Sequence, residues 1–502
     1  MVIYVEKKSI WVEGIEESNV KELNKNIKVD VLIIGGGMTG LNVAFFLSKS
    51  KLKVCLVEQN RVGMGVSSRT TGKINYLQET VYSDLENYYN YDVAKMYLKS
   101  QKVAIRKLKS IINKERINCD LDKVTSYVFT DEDDEVSKIK DEEFILKSFG
   151  VKVKEHMQAD VDLKCKYAIS VDDTYVFHPV KYMYGLKKVC QRRGVKIYEN
   201  TRIMEMKKVR NGYICLTEKH EIRAKKVIVA SHYPFFLKPY IMPFKVYTEK
   251  SYVLASRVDD YRNDSLITNT LPTKSVRYYR GNDKNYMIYL SNSHNICNDM
   301  NVKKNMNKTL LEGKFLDLNP DYIWSNDDMM TVDKMPYIGR LEKNNDKLFI
   351  GTGYNTWGMT NSVLAGMILS DIVLNRKNEF EKLFDPLRVN MLGDIDSYLV
   401  NIASTTKSFI QNKIVKNKRW YPKSVSFEIR NGKSVAIYND GKNEHIVLSN
   451  CPHMGCTLLF NEVEKTWDCP CHASRFDIDG KCIKGPSVYD ISFENDCDEE
   501  EL

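Results

Sequence analysis

Four cysteines and two histidines lie within the segment 451–472, near the C-terminus of a 502-residue chain. Cys451 and His453 form one closely spaced pair, and Cys469 and His472 form a second pair. Such a set suits a structural zinc ion, or a 2Fe-2S cluster with two cysteines on one iron and two histidines on the other. Zinc fingers group cysteine with cysteine and histidine with histidine, whereas each pair here holds one of each. The pattern therefore favours the iron-sulfur cluster over zinc.

The loops around these pairs resemble the Rieske iron-sulfur family in "CPHMGC", in "CPCHASRFD" and in the following "DGKCIKGPS". In that resemblance the cysteines of the two pairs hold a buried iron, and the histidines hold the outer iron. Cys456 and Cys471 match a further pair that forms a disulfide between the cluster loops in the Rieske proteins of respiratory complexes. The resemblance therefore implies a Rieske 2Fe-2S cluster and a candidate disulfide, whose oxidation in a reducing compartment stays open.

Two residues beside the second loop bear on the redox potential of such a cluster. Ser474 keeps a hydroxyl that bonds a bridging sulfur in the family, whereas Phe476 stands where the family has tyrosine. Hydrogen bonds to the sulfurs stabilise the reduced cluster. We therefore expect a potential below the upper end of the Rieske range of roughly −150 to +300 mV.

A second chemical signature lies near the N-terminus, in "VDVLIIGGGMTGLNVAFFL". The sequence predicts a buried strand, a glycine turn, a helix and a second buried strand that ends at Glu58. Gly35, Gly37 and Gly40 fit the G-x-G-x-x-G fingerprint, in which glycines allow a tight turn, close approach of the backbone to a pyrophosphate, and helix–strand packing. Glu58 is placed to accept hydrogen bonds from a ribose. The segment therefore predicts dinucleotide binding.

Further segments resemble the D-amino acid oxidase and glycine oxidase family of FAD enzymes. They are "GTGYNTWGMT" over 351–360, which lies between a predicted strand and a predicted helix, and the segments 176–203 and 222–231. An NAD(P) enzyme shares the first fingerprint but does not need the loop over 351–360, so FAD is favoured. The resemblance implies further cofactor contacts at Ser67, Arg69, Thr70, Gly353, Gly358 and Met359. Backbone groups from Trp357 to Met359 are candidates to steady the reduced flavin, and the catalytic residue is unknown.

The chain departs from this family after the predicted strand "VIVA". Ser231, His232 and Tyr233 stand there in place of a small Thr-Gly-Ala-like turn. A surface or ribose contact is the favoured role of His232, ahead of catalysis. His178 precedes Pro179 at a predicted helix start, which favours a capping or packing role.

The segments 245–257 and 275–291 alternate apolar and polar residues, as the strands of a sheet do. In the family this region is the antiparallel sheet of the substrate domain. Four of its side chains are candidates to line a pocket, although packing within the sheet is the favoured interpretation: Tyr252, Arg277, Tyr278 and Tyr279. None of them is identified as a clamp for a substrate carboxylate.

The predicted fold is an α/β FAD-binding, Rossmann-like domain with an antiparallel-sheet substrate domain, followed by a C-terminal all-β Rieske domain. Asn431-Gly432, between two alternating runs, predicts a β-hairpin at the start of the last domain. The predicted boundaries are an N-terminal extension 1–27, an oxidoreductase region 28–388 with FAD-binding segments at about 28–80, 176–235 and 331–385, a helical linker 389–418 and a Rieske domain 419–502.

Composition bears on partners and on the cellular compartment. The formal net charge is +9, but no basic block is interleaved with aromatic residues, so we expect no nucleic-acid or anionic-membrane partner. The N-terminus shows no secretory signal, and the longest apolar stretch, 29–47, is broken by glycines and is too short for a membrane span. Five of the twelve cysteines lie between 451 and 482, which is not the pattern of a secreted disulfide scaffold. We therefore expect a cytoplasmic protein.

The two predicted cofactors differ in the electrons that they carry. A flavin accepts two electrons as hydride, whereas a Rieske cluster carries one at a time. The sequence therefore predicts a FAD-dependent oxidoreductase. By the family resemblance its substrate is an amine or amino acid, and its partner is a one-electron carrier such as ferredoxin. Two alternatives stay open: a reductase that takes electrons from a ferredoxin-like donor through the cluster to FAD, and a non-catalytic redox sensor or electron carrier.

Overall fold

The computed structural model describes residues 8–15, 20–157, 163–235, 245–281, 283–299, 301–388 and 422–493. Two large β-sheets and their helices form the part up to residue 388, and two small sheets form the part from residue 422. The predicted helical linker lies outside the described residues. Within these ranges, no helix combines the length and the apolar character needed to cross a lipid bilayer.

The helices are short apart from one of 25 residues. In chain order they are α1 (Met38–Leu47), α2 (Val81–Tyr88), α3 (Tyr91–Glu115), α4 (Val136–Ser148), α5 (Pro179–Arg192), α6 (Val302–Phe315) and α7 (Gly358–Val373). At the start of α5, the His178 Nδ1 accepts a hydrogen bond from the backbone N–H of Lys181 at 3.2 Å. The predicted capping role of His178 is thus confirmed.

The strands of the first part are β1 (Ile27–Ile34), β2 (Val54–Val57), β3 (Lys73–Ile74), β4 (Asp122–Thr130), β5 (Lys154–His156), β6 (Tyr167–Val176), β7 (Lys196–Tyr198), β8 (Glu205–Val209), β9 (Gly212–Leu216), β10 (Glu221–Val229), β11 (Val246–Val258), β12 (Asp264–Thr268), β13 (Ser275–Arg280), β14 (Asn285–Asn295), β15 (Pro320–Thr331), β16 (Tyr337–Glu342) and β17 (Asn345–Thr352). The strands of the second part are β18 (Val425–Arg430), β19 (Lys433–Asn439), β20 (Glu444–Leu448), β21 (Leu459–Asn461), β22 (Thr466–Asp468), β23 (Arg475–Phe476) and β24 (Cys482–Lys484).

The first large sheet has the order β16-β17-β10-β1-β2-β7, with β8 and β9 joined to it through β10. The strands from β17 to β7 are parallel neighbours. Residues 31–34 of β1 and all of β2 are buried and apolar, as expected for strands that are covered on both faces. The carboxyl ends of these parallel strands meet at one edge. The predicted Rossmann-like fold is confirmed.

The second large sheet has the order β15-β11-β14-β13-β12-β4-β6-β3, with β5 on β6. It is antiparallel, as predicted, except that β4 and β12 are parallel. The four tyrosine and arginine candidates for a pocket are all buried. Arg277 donates through Nη1 to the backbone carbonyls of Thr71, Gly72 and Phe177 at 2.8–3.1 Å. Arg277 is therefore a structural residue that joins neighbouring segments.

The part from residue 422 contains the sheets β18-β19-β20 and β21-β22-β23-β24. Asn431 and Gly432 both have positive φ, +48° and +71°, and connect β18 to β19 as a two-residue hairpin loop. The predicted hairpin is confirmed. A separate apolar core, which includes Trp467 and Phe476, stabilises this part.

Candidate functional site

A cavity of about 410 Å³ opens at the carboxyl ends of β1, β2, β10 and β17. Gly35, Glu58, Ser231 and Gly353 lie just after these strand ends and line it. Ligands of open parallel sheets bind at this edge, and the volume is typical of a small-molecule pocket. We call it the dinucleotide cavity, because the residues of the glycine fingerprint form its wall.

Two positions of the fingerprint must be glycine because a backbone carbonyl oxygen lies where a Cβ would be. Gly35 has φ +111°, and a Cβ there would lie 2.5 Å from the carbonyl oxygen of Ala230. A Cβ on Gly40 would lie 1.9 Å from the carbonyl oxygen of Gly35. Gly37 precedes α1 without a side-chain cap, so the helix N-terminus presents partial positive charge to the cavity. This arrangement fits a pyrophosphate.

Backbone hydrogen bonds orient the carboxylate of Glu58 after β2. Its Oε2 accepts from the N–H of Gly36 at 2.7 Å, and its Oε1 accepts from the N–H of Asn60 at 2.9 Å. Burial raises the pKa of Glu58, and these two hydrogen bonds oppose the rise. Each carboxylate oxygen can accept a second hydrogen bond. Glu58 therefore fits the predicted role of ribose acceptor.

The loop after β2 lines the cavity with the three further predicted contacts, Ser67, Arg69 and Thr70. The Ser67 hydroxyl accepts from the N–H of Met38 at 3.2 Å. Arg69 donates to the carbonyl oxygen of Ser325 at 3.2 Å and forms an ion pair with Glu464 at 3.3 Å. The Arg69 guanidinium therefore connects the cavity wall to the second part of the chain. A contact between Arg69 and the cofactor stays a prediction.

The loop between β17 and α7 forms the opposite wall. Gly353 has φ +70°, and a Cβ there would lie 2.4 Å from the Cγ2 of Thr331. Gly358 and Met359 begin α7 and line the cavity, whereas Trp357 lines a smaller cavity beside it. Because α7 starts slightly earlier than the sequence predicts, the candidate backbone donors lie at a helix N-terminus, where negative charge is stabilised.

His232 is half-buried and lines the dinucleotide cavity, a position that is compatible with the expected surface or ribose contact. Its backbone has φ +67°, and its carbonyl oxygen accepts from the hydroxyl of Thr352. Burial lowers the pKa of His232 to about 3, which keeps the imidazole neutral. A ribose contact stays a prediction.

The Cys-His pairs lie on two loops of the second part, between β20 and β21 and between β22 and β23. The Cys451 N–H donates to the Cys456 carbonyl and the Cys469 N–H to the Ser474 carbonyl, both at 2.8 Å. Cys456 and Cys471 are joined by a disulfide that ties the loops together. The Cys469 sulfur lies within 4.8 Å of both disulfide sulfurs, but these are bonded to each other and leave no three-cysteine metal site there.

The four predicted ligand side chains converge at the tips of these loops. Cys451 and Cys469 are buried, and a hydrogen bond between their thiols contributes to a lowered pKa of Cys451. The ring centroids of His453 and His472 are 5.1 Å apart. Both nitrogens of His453 and the Nδ1 of His472 are buried without a hydrogen-bond partner among the described residues. Burial lowers the pKa of His453 to about 4 and of His472 to about 3, which keeps both imidazoles in the metal-binding form. The donor set fits a 2Fe-2S cluster.

Tyr233 lies between the two sites. Its side chain lines the dinucleotide cavity, and its ring centroid lies 6.2 Å from that of His453 and 5.5 Å from that of His472. The ring is buried, and its hydroxyl has no hydrogen-bond partner within the described part of the chain. One aromatic side chain therefore separates the predicted outer-iron ligands from the dinucleotide cavity.

Buried ion pairs hold the second part of the chain against the first. Lys484 pairs with Asp327 at 2.5 Å, and Asp327 also pairs with Lys250 at 2.7 Å. Burial opposes ionisation of Asp327, but the two lysines hold its pKa well below the usual value. Glu464 of the second part pairs with Arg69 of the first. These contacts fix which face of the second part meets the cavity.

The second part also supplies one wall of the dinucleotide cavity, through residues 483–488. Arg202 donates to the carbonyl of Val488 at 3.2 Å and to the carboxylate of Asp490 at 3.0 Å. Sequence reasoning missed Arg202, because nothing in a single sequence pairs it with a segment 286 residues later. Sequence reasoning missed Lys484 for the same reason, because its partner Asp327 lies 157 residues earlier.

A smaller cavity of about 50 Å³ adjoins the dinucleotide cavity and shares Thr70, Asp328 and Thr356 with it. Its volume holds a few water-sized groups. Its charged lining consists of Glu79, Glu249, Asp328 and Lys73. Because carboxylates outnumber the lysine, we call it the acidic cavity.

The profile of the FAD dependent oxidoreductase family, DAO, matches residues 30–372 of the chain. The chain belongs to this family. The profile of the Rieske [2Fe-2S] domain matches residues 413–492. This oxidoreductase therefore binds FAD and carries a Rieske 2Fe-2S domain, which confirms the predicted family, enzyme class and cofactors. The residues that contact each cofactor stay predictions, as do the domain boundaries.

Relatives and solved structures resemble this oxidoreductase over different shares of its length. A Rieske 2Fe-2S iron-sulfur protein of Bacillus subtilis, YhfW, is 28% identical over 95% of this chain and 96% of its own. The gamma-glutamylputrescine oxidoreductase of Escherichia coli is 23% identical over 72% of this chain and 87% of its own. The glycine oxidase of Geobacillus kaustophilus superposes with a TM-score of 0.61 at 17% identity, over 72% of this chain and 99% of its own. The last likeness shows the fold alone.

Proposed function

We propose that this oxidoreductase oxidises an amine or amino acid and passes the electrons one at a time through its Rieske cluster to an external carrier, such as a ferredoxin. The observation that carries this proposal is the position of Tyr233. Its ring contacts both predicted histidine ligands and lines the cavity that fits FAD. The names of the E. coli relative and of the glycine oxidase support an amine or amino acid as substrate.

FAD supplies an acceptor for a hydride, and the cluster supplies a carrier for single electrons. In the proposed reaction the substrate carbon that bears nitrogen loses a hydride, and the nitrogen loses a proton. The carbon–nitrogen bond becomes an imine, which water then hydrolyses. The two electrons leave separately and reduce two molecules of the oxidised external carrier.

The chain's own groups position the reactants. The N-termini of α1 and α7 both face the dinucleotide cavity, where they favour negative charge. Gly358 and Met359 place backbone N–H groups in the first turn of α7, and Glu58 offers a fixed acceptor at the opposite end of the cavity wall. Residues 483–488 cover the cavity from the Rieske side and so limit the entry of water.

The exposed rim of the first cluster loop fits the docking of an external carrier. Pro452 and Met454, on either side of His453, are exposed, whereas His472 is buried. His453 is therefore the predicted ligand that lies nearer to a surface accessible to another protein. Electron transfer to a carrier at this rim does not require the interface with the FAD-binding part to open.

The acidic cavity argues against a sensor without turnover, because a sensor does not need a second, charged cavity that adjoins the dinucleotide cavity. A reductase would use the same groups with the electrons flowing in the opposite direction. Only the order in which the two cofactors change their oxidation state distinguishes these two enzymes.

Anaerobic mixing of the purified, oxidised protein with a panel of amines and amino acids tests the proposal. Flavin absorbance and the EPR signal of the reduced cluster are followed together. Bleaching of the flavin followed by the cluster signal supports oxidation with internal transfer. In the variant His472→Ala, a predicted cluster ligand is missing, and the flavin should bleach without that signal. Reduction of both centres by ferredoxin, with no bleaching by any amine or amino acid, would contradict the proposal.

A further inference from the structure

Two carboxylates face each other across neighbouring strands at the wall of the acidic cavity. Glu249 on β11 lies directly opposite Asp328 on β15 in the antiparallel register. Side chains at such positions share one face of the sheet, and like charges there are destabilising. Both side chains line the acidic cavity. When both carboxyl groups are ionised, the arrangement costs stability, and a positive charge in the cavity would offset that cost.

The protein itself supplies little positive charge to this cavity. Glu79 contributes a third carboxylate, whereas Lys73 is the cation in the lining. Lys73 donates to the carbonyl of Leu266 at 2.7 Å and to the hydroxyl of Ser275 at 2.5 Å. Among the residues that the structure describes, none of the three carboxylates forms an ion pair. The nearby Lys334 is paired with Asp84 at 3.6 Å.

A second, independent observation concerns uncharged acceptors in the same wall. Ser251 and Asn326 lie directly opposite each other, two residues along from the carboxylate pair and hence on the same face. Their side chains line the acidic cavity, and the two residues are only 5% and 4% exposed. The Asn326 Nδ2 donates to the Asp328 Oδ2 at 2.9 Å, whereas the Ser251 Oγ and the Asn326 Oδ1 have no hydrogen-bond partner within the described ranges. Buried polar atoms are rarely left unpaired, so these acceptors point to a ligand that donates hydrogen bonds.

From this wall of carboxylates and unpaired acceptors we infer that the acidic cavity binds a second ammonium group of the substrate. The amine oxidised at FAD is then a diamine or polyamine rather than an α-amino acid. An ammonium group carries three N–H donors and one positive charge, and so it satisfies both the acceptors and the carboxylates. This inference rests on the proposed amine oxidation, and it specifies the substrate class.

Among the described residues that line the two cavities, no arginine is free to bind an α-carboxylate. The arginines that line the dinucleotide cavity are Arg69, Arg202 and Arg475. Each forms an ion pair with a carboxylate of the Rieske part. The lysine of the acidic cavity already donates two hydrogen bonds to the protein. The charges of the site therefore favour a cationic substrate over an anionic one.

The ionisation of the carboxylates agrees with a site for a cation. Burial, and after it the negative charge of Glu249, raises the pKa of both Glu79 and Asp328 to about 7. Lys334 and Lys73 act against this rise at Glu79, and Lys484 acts against it at Asp328. A bound ammonium group stabilises the ionised form of both carboxylates.

Binding calorimetry on the anaerobically reduced holoenzyme tests the inference, because the reduced flavin cannot oxidise a further amine. The probes are 1,4-diaminobutane and n-butylamine, which have the same carbon chain but differ by one ammonium group. We expect the diamine to bind about tenfold or more tightly than the monoamine. Glu249→Gln and Asp328→Asn should each reduce this ratio by a similar factor.

Asp321→Asn is the matched control, since Asp321 also lies on β15 but pairs with Arg257 away from the cavity. This variant should keep the ratio of the unchanged protein. Flavin content and melting temperature check that all variants are folded. Equal affinity for the two probes in the unchanged protein would overturn the inference, as would an unchanged ratio in both cavity variants.

The outcome is separable from that of the proposed function. If monoamines or amino acids bleach the flavin while the two probes bind equally, the inference is wrong and amine oxidation stands. If the diamine binds tightly and selectively but no amine bleaches the flavin, the ammonium site stands and the proposed amine oxidation is wrong.

Discussion

The two faces of the β11–β15 strand pair differ in charge at adjacent positions: one face pairs a lysine with an aspartate, and the other pairs two carboxylates. On the face toward the Rieske part, Lys250 lies opposite Asp327, and Lys484 completes the ion pair from across the interface. On the other face, Glu249 lies opposite Asp328, and among the described residues no lysine forms an ion pair with either carboxylate. Opposite charges are matched on the face that the Rieske part contacts. They are unmatched on the face that lines the acidic cavity.

The contrast also appears in the pKa values of two adjacent residues. The lysines hold the pKa of Asp327 well below its usual value, even though burial opposes this. Burial and neighbouring carboxylates raise the pKa of Asp328 to about 7. The two adjacent carboxyl groups therefore differ in ionisation, because Asp327 forms ion pairs with lysines and Asp328 forms none among the described residues.

The largest effect is expected at the matched face. Asp327→Asn leaves Lys250 and Lys484 as buried cations without their carboxylate, which should cost about 3–5 kcal/mol of unfolding free energy. Denaturant unfolding of the holoenzyme measures this loss. The control Asp321→Asn breaks the exposed pair with Arg257 and should cost less than about 1 kcal/mol. Equal small losses in both variants would show that the interface charges do not hold the two parts together.

Removal of a carboxylate from the face that lines the acidic cavity should increase stability rather than decrease it. Because the folded pKa of Asp328 is raised, the folded state keeps its proton between about pH 4 and 7 while the unfolded state loses it, so stability falls over this window. Asp328→Asn removes this loss and, in the absence of an amine, should stabilise the protein by about 3–4 kcal/mol at pH 8, with little effect near pH 4. Thermal unfolding across this pH range measures the difference. A destabilised variant at pH 8 would contradict the assignment of a cation site to these carboxylates.

A smaller effect is expected at Tyr233, which lies between the dinucleotide cavity and the predicted cluster ligands. Tyr233→Leu removes the ring contacts with His453 and His472 at the boundary between the two sites, and should slow reduction of the cluster by the flavin. Stopped-flow absorbance after anaerobic mixing with a reducing amine measures this rate. Tyr233→Phe keeps the ring and should keep the rate. An unchanged rate in the leucine variant, with an unchanged cluster EPR spectrum, would show that electron transfer from the flavin to the cluster does not depend on Tyr233.

The smallest effect concerns the potential of the cluster itself. The Ser474 hydroxyl hydrogen-bonds to Cys451, and Phe476 offers no second hydroxyl. Loss of one hydrogen bond of about 1 kcal/mol corresponds to about 40 mV for a one-electron couple, so Ser474→Ala should lower the potential by about this amount. Potentiometric titration followed by EPR measures it. A parent potential near +300 mV would contradict the expectation that the missing tyrosine keeps this cluster below the upper end of the Rieske range.

Local motifs explain which features the sequence predicts well. The glycine fingerprint, the Cys-His pairs and the Asn431-Gly432 hairpin each depend on residues close together in the chain, where turn geometry and ligand spacing are encoded directly. His178 is predicted correctly for the same reason, since its cap reaches only to Lys181. These features are sufficient for the fold class and the two cofactors.

The remaining features depend on which strands pair and in which register. Glu249 and Asp328 meet because β11 and β15 are neighbours, and a shift of one residue would place them on opposite faces. The sequence also does not show that His232 lies near Lys484 of the Rieske part and Asp327 of β15. No local pattern marks a residue whose surroundings are assembled from distant segments.

Transfer from FAD to the Rieske cluster within one molecule is the central claim, and rapid-freeze EPR tests it most directly. The oxidised holoenzyme is mixed anaerobically with an amine that bleaches the flavin, and the appearance of the reduced-cluster signal is timed at two protein concentrations about tenfold apart. A first-order rate that is the same at both concentrations is the predicted result. A rate that rises in proportion to protein concentration would show transfer between molecules and would contradict the docked arrangement of the two sites.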